Sequence, residues 1–205
     1  MVSALKTFYL DLINSHNIWF HGGLLDVKQK YRRTTIGPFW NTIIVGVFLL
    51  GLGPIYSSVF NVDLQSFFPY LSIGFVLWTF CSSCLNESCT VFQDNSGIIK
   101  ETDISIICYP ARLITKNFVN FMHVIIVIPI VFIFSLKTVS FTALLLIPGM
   151  IIFLFFLIST MFIIALLSSR FRDIPPFVNA FLQILFFVTP IIWDEAKLSN
   201  SSPIL

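Results

Sequence analysis

Long apolar runs dominate the sequence and leave few folds open to it. A helix that crosses roughly 30 Å of hydrocarbon needs about 20 apolar residues. Five stretches meet or approach that length: Pro38 to Phe60, Phe67 to Phe92, Leu113 to Leu136, Phe141 to Ser168 and Phe177 to Trp193, the last being the shortest. A soluble fold must cover its surface with polar groups, and 12 basic plus 10 acidic residues among 205 are too few to do so. With 57% hydrophobic and 11% charged residues and a mean hydropathy of +0.91, a soluble globular enzyme and a disordered chain are both excluded. The net charge of +2 gives no basic face for a nucleic acid. In lipid each backbone polar group must be satisfied within its own segment, so the expected fold class is an all-α integral membrane protein with five transmembrane helices. Pro54, Pro129, Pro148 and Pro190 fall within or near the ends of these runs, where a bundle tolerates a kink.

Lys and Arg alternate with the spans. The segment before the first span carries Lys6, Lys28, Lys30, Arg32 and Arg33, the loop after the second Lys100, Arg112 and Lys116, and the loop after the fourth Arg170 and Arg172. The other side has Lys137 and Lys197 alone, and ten charges against two place the N-terminus in the cytoplasm. Residues 1–37 lack the compact apolar stretch and cleavage site of a signal peptide. There Leu5, Phe8, Tyr9, Leu12 and Ile13 form one helical stripe, expected to lie in the headgroup region as an amphipathic interfacial helix that Gly22 and Gly23 break. The basic segment Asp26 to Arg33 then leads into a single transmembrane domain, residues 38–205, with a cytoplasmic loop at 93–112. Membrane lipid is an expected partner, since those cations suit anionic headgroups.

Sequence motifs for enzymatic chemistry are missing. No phosphate-cradling Gly-x-x-x-x-Gly-Lys-Ser/Thr loop, His-Glu-x-x-His helix, Gly-x-Ser-x-Gly elbow or intramembrane carboxylate pair is present. This predicts a transport subunit rather than an enzyme, with no catalytic residue, metal ligand or cofactor on this chain. Cys81 and Cys84 have C-x-x-C spacing without a second pair or nearby histidine, and Cys81, Cys84, Cys89 and Cys108 read as free buried thiols. His123 stands alone in an apolar helix and reads as a packing residue. Glu87 is the one acidic residue well inside a span. It either lines a path or locks two helices, or it reaches the interface or is protonated.

The loop at 93–112 is unusually apolar. Ile98 and Ile99, with Ile104, Ile106 and Ile107, read as a short helix and flanks that dock into a partner's groove.

Several local patterns together resemble one family, the integral-membrane permeases of ATP-binding-cassette exporters for O-antigen (lipopolysaccharide), capsule, teichoic acid and related polysaccharides. They are Asp26-Val-Lys-Gln-Lys-Tyr-Arg-Arg-Thr-Thr-Ile-Gly-Pro-Phe-Trp40, Phe68-Pro-Tyr-Leu-Ser-Ile-Gly-Phe-Val-Leu-Trp78, Asn95-Ser-Gly-Ile-Ile-Lys100, and Arg170-Phe-Arg-Asp-Ile-Pro175 followed by Thr189-Pro-Ile-Ile192. The resemblance implies two permease copies forming a channel across the bacterial inner membrane, driven by two separate nucleotide-binding subunits that hold the ATP and Mg. It implies a coupling helix containing Asn95, Gly97, Ile98, Ile99, Lys100 and Glu101, and a cytoplasmic interface at Tyr31, Arg32, Arg33, Arg170, Arg172 and Asp173. It also implies aromatic residues along the channel on which a sugar chain stacks; Trp40, Trp78 and Phe80, with Glu87, are the candidates by position. The family's usual sixth span has no counterpart before Leu205, which reads as truncation. Cys108-Tyr-Pro110 and His123 resemble the branch that exports lipopolysaccharide O-antigen. The resulting expectation is an outward exporter of lipid-linked polysaccharide. The alternatives are an ion- or proton-coupled secondary carrier, for which Glu87 and His123 are the available groups, and a membrane-embedded enzyme acting on lipid-linked sugars.

Overall fold

The computed structural model describes residues 10–136 and 141–193, so Leu5, Lys6, Phe8, Tyr9, Lys137 and Lys197 lie outside the described residues. Regular structure among the described residues is helical: residues 10–14 are helical up to a turn at Ser15, and then come α1 (His16–Lys30), α2 (Phe39–Val59), α3 (Leu64–Ser88), α4 (Val91–Asp94), α5 (Ser96–Glu101), α6 (Cys108–Val124), α7 (Val127–Phe134), a 3-10 turn (Phe141–Leu145), α8 (Leu146–Arg170) and α9 (Ile174–Val188). Four stretches are long and apolar enough to cross a membrane: Phe39–Val59, Leu64–Ser88, Cys108–Phe134 and Leu146–Arg170. The fifth expected span is shorter than the sequence suggests. Its helix, α9, has 15 residues and so covers only about 22 Å, because Thr189 takes an extended conformation and Pro190 follows.

Local chemistry sets the boundaries. Gly37 has a left-handed backbone (φ 62°) that turns the chain into Pro38, whose fixed φ starts α2. Asn61, also left-handed, ends the turn out of α2, and the Asp63 carboxylate caps α3 by accepting from the Ser66 amide at 3.1 Å. The third span is two helices in series. Pro129 has no amide to offer the Ile125 carbonyl, which instead accepts a tighter bond from the Ile128 amide at 3.0 Å where α6 passes into α7.

The core runs along α3, which packs against α2, α6, α7, α8 and α9. Its buried residues Phe67, Leu71, Val76, Phe80, Cys84 and Ser88 form a continuous strip. Leu157, Met161, Ala165 and Ser168 form the matching strip on α8. Large apolar side chains such as Leu50, Ile133, Phe134, Ile152, Phe156 and Phe187 point outward instead, an arrangement that suits lipid rather than water. Buried hydroxyls on the helices bond carbonyls three or four residues earlier, as Ser72 does to Pro69, Ser88 to Leu85 and Thr115 to Ala111. Cys84, Cys89 and Cys108 are buried and Cys81 partly so, and all four thiols are free.

The segment before the first span departs most from expectation. Gly22 and Gly23 do not break the helix; α1 continues through both, because tertiary packing outweighs the weak helix preference of glycine. The helix lies along α6, with contacts advancing in the same direction on both, from Gly22 and Gly23 at Arg112 and Thr115 to Tyr31 at Asn120. A Cβ on Gly23 would sit 2.6 Å from the Thr115 Cβ and 2.7 Å from the Arg112 carbonyl oxygen. Only a residue without a side chain lets the two backbones come this close. Of the expected lipid-facing stripe, Leu12 is buried with Ile107, Ala111 and Ile158, whereas Ile13 is exposed.

Gly23→Val should therefore push α1 away from α6 and cost roughly 1–3 kcal/mol, the usual range for overpacking. Thermal unfolding in detergent would show a lowered midpoint, while Gly46→Ala, where a Cβ within α2 meets nothing within 4 Å, should not lower it.

Candidate functional site

The sequence places charges on α6 that the spans would ordinarily exclude. Arg112, Lys116 and Asn120 recur every four residues, so they share one face of the helix, with Asn117 and His123 beside them. That face meets α1, α2 and α3, and Arg112, Lys116, Asn117 and Asn120 find partners there.

Arg112 makes a bidentate ion pair with Asp26 of α1, Nε to Oδ2 at 2.6 Å and Nη2 to Oδ1 at 2.5 Å. The Arg112 stem lies on Gly22, another consequence of the missing side chain there. One turn on, Lys116 Nζ stands 2.9 Å from Glu87 Oε2 of α3, and Asn117 Nδ2 donates to the same oxygen at 2.7 Å. Glu87 is in the last turn of α3, where a carboxylate is disfavoured by the helix dipole, so the lysine offsets an unfavourable position. A further turn on, the Tyr31 hydroxyl donates to Asn120 Oδ1 at 3.1 Å and accepts from Asn41 Nδ2 at 2.9 Å. Burial, aided by the nearby Glu87 charge and opposed by the Asn41 hydrogen bond, raises the Tyr31 hydroxyl above its ordinary pKa, so it is neutral at pH 7 and able to play both roles. Above this, Thr42 Oγ1 donates to the His123 carbonyl at 3.0 Å, and the His123 ring packs edge-on to Phe39 with Nδ1 2.7 Å from the Val119 carbonyl oxygen.

Two adjoining cavities open along this ladder. One of about 230 Å³ is lined by Lys30, Asn41, Thr79, Ser83, Glu87 and Asn120, among others. The other, of about 370 Å³, is bounded by Asp26, Lys30, Glu87, Asp94, Tyr109 and Lys116, among others. Lys30 and Glu87 belong to both. The result is a polar cleft, with hydrogen-bonding groups and balanced charge, inside an otherwise apolar bundle.

The candidate residues from the sequence are only partly brought together here. Tyr31 and Glu87 are in the ladder, Asn95 lines the larger cavity, and Phe80 borders the smaller one, although only 4% exposed and packed against Phe121. Trp40 is exposed on α2, and Trp78 packs against Phe186 of α9. Arg32, Arg33, Arg170, Arg172 and Asp173 are exposed. Arg112 and Lys116, expected as loop charges, stand within α6, because the helix begins at Cys108 and takes Pro110 into its first turn, where its missing amide does no harm. Their four-residue spacing with Asn120 was the signal in the sequence.

The apolar loop is partly helical. α4 and α5 are single short helices, closed by an Asn95 side-chain bond to the Val91 carbonyl at 2.7 Å. Ile99 and Ile104 pack on the core and Ile107 is buried, which removes them from any docking surface. Ile98 and Ile106 remain exposed, as do Gly97, Lys100 and Glu101. Gln93 Nε2 donates to the Ser168 carbonyl at 3.2 Å and ties this segment to the end of α8.

Residues 25–202 match the family model described as "ABC-2 type transporter". The chain belongs to the ABC-2 type transporter family. As an ABC-2 family member with four helices of spanning length it is a multi-pass membrane protein. It is similar to two Klebsiella pneumoniae proteins named O-antigen export system permease protein RfbA, 28% identical over 178 residues and 25% identical over 173, each alignment covering 82% of this chain. A Myxococcus xanthus protein of the same name is 18% identical over 180 residues, or 86% of this chain. The alignments cover 65% of each Klebsiella protein and 68% of the Myxococcus one, so the chain spans about two thirds of the length of these relatives.

Among the described residues of this ABC-2 chain, the Glu87–Lys116 pair is the charged bond between α3 and α6. Glu87→Lys alone or Lys116→Glu alone should lower the thermal midpoint in detergent by placing like charges together. The exchanged double variant should recover most of the loss, with a coupling of roughly 1–3 kcal/mol in a double-mutant cycle. Additive losses would show that the pair does not hold the helices.

Proposed function

We propose that this chain is the membrane-spanning permease subunit of an ATP-driven exporter that moves lipid-linked polysaccharide, O-antigen or a related glycan, outward across the bacterial inner membrane. The observation that carries this reading is the family match over residues 25–202, together with relatives named as O-antigen export permeases. The ATP and Mg would be held by a separate nucleotide-binding subunit, and a second copy of the permease would complete the path. The ten-to-two distribution of Lys and Arg supports a cytoplasmic N-terminus. With that orientation α4 and α5 face the cytoplasm, and α5 is the candidate coupling helix.

In this mechanism, ATP binding draws the two nucleotide-binding subunits together and moves α5. The segment is not free to move alone: α4 joins it to the Glu87 end of α3, and Gln93 joins it to the end of α8. A displacement there acts on the Glu87–Lys116 bond and on the polar cleft beside it, which gives the bundle an element with two arrangements for the ATPase to bias. Exposed Ile98 is the apolar anchor available to the partner.

The test is co-purification of the chain with a candidate nucleotide-binding subunit in nanodiscs, followed by ATPase and transport assays. Ile98→Asp should weaken assembly by about tenfold, the effect of losing one apolar anchor, and uncouple turnover from export. Ile99 is a poor choice for this test, because its side chain belongs to the core. Export that is unchanged in the Ile98→Asp complex would remove α5 as the coupling helix.

A further inference from the structure

Two buried hydroxyls beside α4 are poorly served among the described residues: Tyr109 Oη on α6 has no hydrogen-bond partner, and Ser168 Oγ on α8 has only the thiol of Cys89. Tyr109 is 4% exposed and Ser168 1%. Elsewhere in the bundle buried Ser and Thr hydroxyls bond the carbonyl one turn back, as Ser72, Ser88 and Thr115 do, and Ser168 does not follow that pattern. Leaving such groups unpaired is unfavourable, so an arrangement that pairs the Tyr109 hydroxyl would be favoured at that position.

Both flank the same four-residue helix. Tyr109 packs its ring edge-on to Phe92 of α4, at 6.5 Å between centroids, and Phe92 stands edge-on to Phe162 of α8 at 6.2 Å. Ser168 faces the thiol of Cys89, a weak partner, while its carbonyl is held by Gln93. Apart from buried Val91, the contacts that seat α4 are ring edges and one side-chain amide, with few directional bonds. The larger cavity lies on one side, and Asp94 of α4 and Tyr109 both border it. No ion pair involving Asp94 is seen among the described residues.

We propose that α4 has two seats: the one seen here, with Tyr109 unpaired, and a second, displaced toward the larger cavity, in which the Asp94 carboxylate accepts the Tyr109 hydroxyl. Aromatic edges permit this sliding, because ring contacts re-form at small displacements where a hydrogen bond would break. The Glu87–Lys116 bond lies immediately before α4 and α5 immediately after it, so the two seats differ in how the polar cleft meets the exposed helix. Only this consequence for coupling rests on the exporter reading; the two seats themselves rest on the geometry.

Hydrogen–deuterium exchange of the full chain in nanodiscs, without any nucleotide-binding subunit, tests the proposal separately from that reading. Exchange at residues 91–101 reports the population of the displaced seat. Tyr109→Phe keeps the ring against Phe92 and removes the unpaired hydroxyl, so exchange at 91–101 should slow by about five- to a hundredfold while α2 is unaffected. Asp94→Ala removes the acceptor of the second seat and should slow exchange similarly, with the double variant adding nothing further. Unchanged or faster exchange in Tyr109→Phe would mean that the hydroxyl is already satisfied, by a buried water for example, and would overturn the proposal. Slowing in Tyr109→Phe without slowing in Asp94→Ala would overturn Asp94 as the acceptor.

Discussion

The structure depends on how α6 carries two cations and two amides into an apolar bundle. A charge in that setting is tolerated only when a partner sits against it, and the partners of Arg112 and Lys116 come from two different helices, Asp26 on α1 and Glu87 on α3. These bonds explain why α1 lies along α6. They also explain why Gly22 and Gly23 occur where they do, since the ion pair at Asp26 requires the backbones to approach closely. Tyr31, Asn41 and Asn120 extend the same arrangement into α2.

The rest of the fold follows more general rules. α3 supplies a strip of buried side chains to each neighbour, and α8 answers with a strip of its own at helical spacing. Packing alone would give a bundle without a preferred site. The polar ladder breaks that uniformity and leaves two cavities at the end of α3, next to the short helices that carry the exposed Ile98. The exporter proposed above, driven from outside the membrane, would need such a junction between an element a partner can grasp and an element whose bonds can be rearranged.

Much of the architecture was legible in the chain. Apolar runs located the four long helices to within a few residues, because hydrocarbon length and backbone satisfaction are local requirements. The short helix in the loop was also expected. Gly22 and Gly23 misled, because a glycine pair reads as a helix break until the helix it touches is known. Arg112 and Lys116 were assigned to a loop, since cations next to an apolar run ordinarily mark its end; their spacing with Asn120 was present in the sequence, but the carboxylates that make it possible lie 86 and 29 residues away in the chain.

The sequence by itself determined that this chain spans a membrane as helices and, through its local motifs, which family it resembles. Those properties depend on composition and on residues close together in the chain. The tertiary structure alone decided that Ile98 faces outward while Ile99 and Ile107 do not, and that Asp26, Glu87, Arg112 and Lys116 form one site. Each of these depends on which helices meet and how closely, and the free energy of a buried charge or an apolar side chain is set by that neighbour rather than by its own position in the chain.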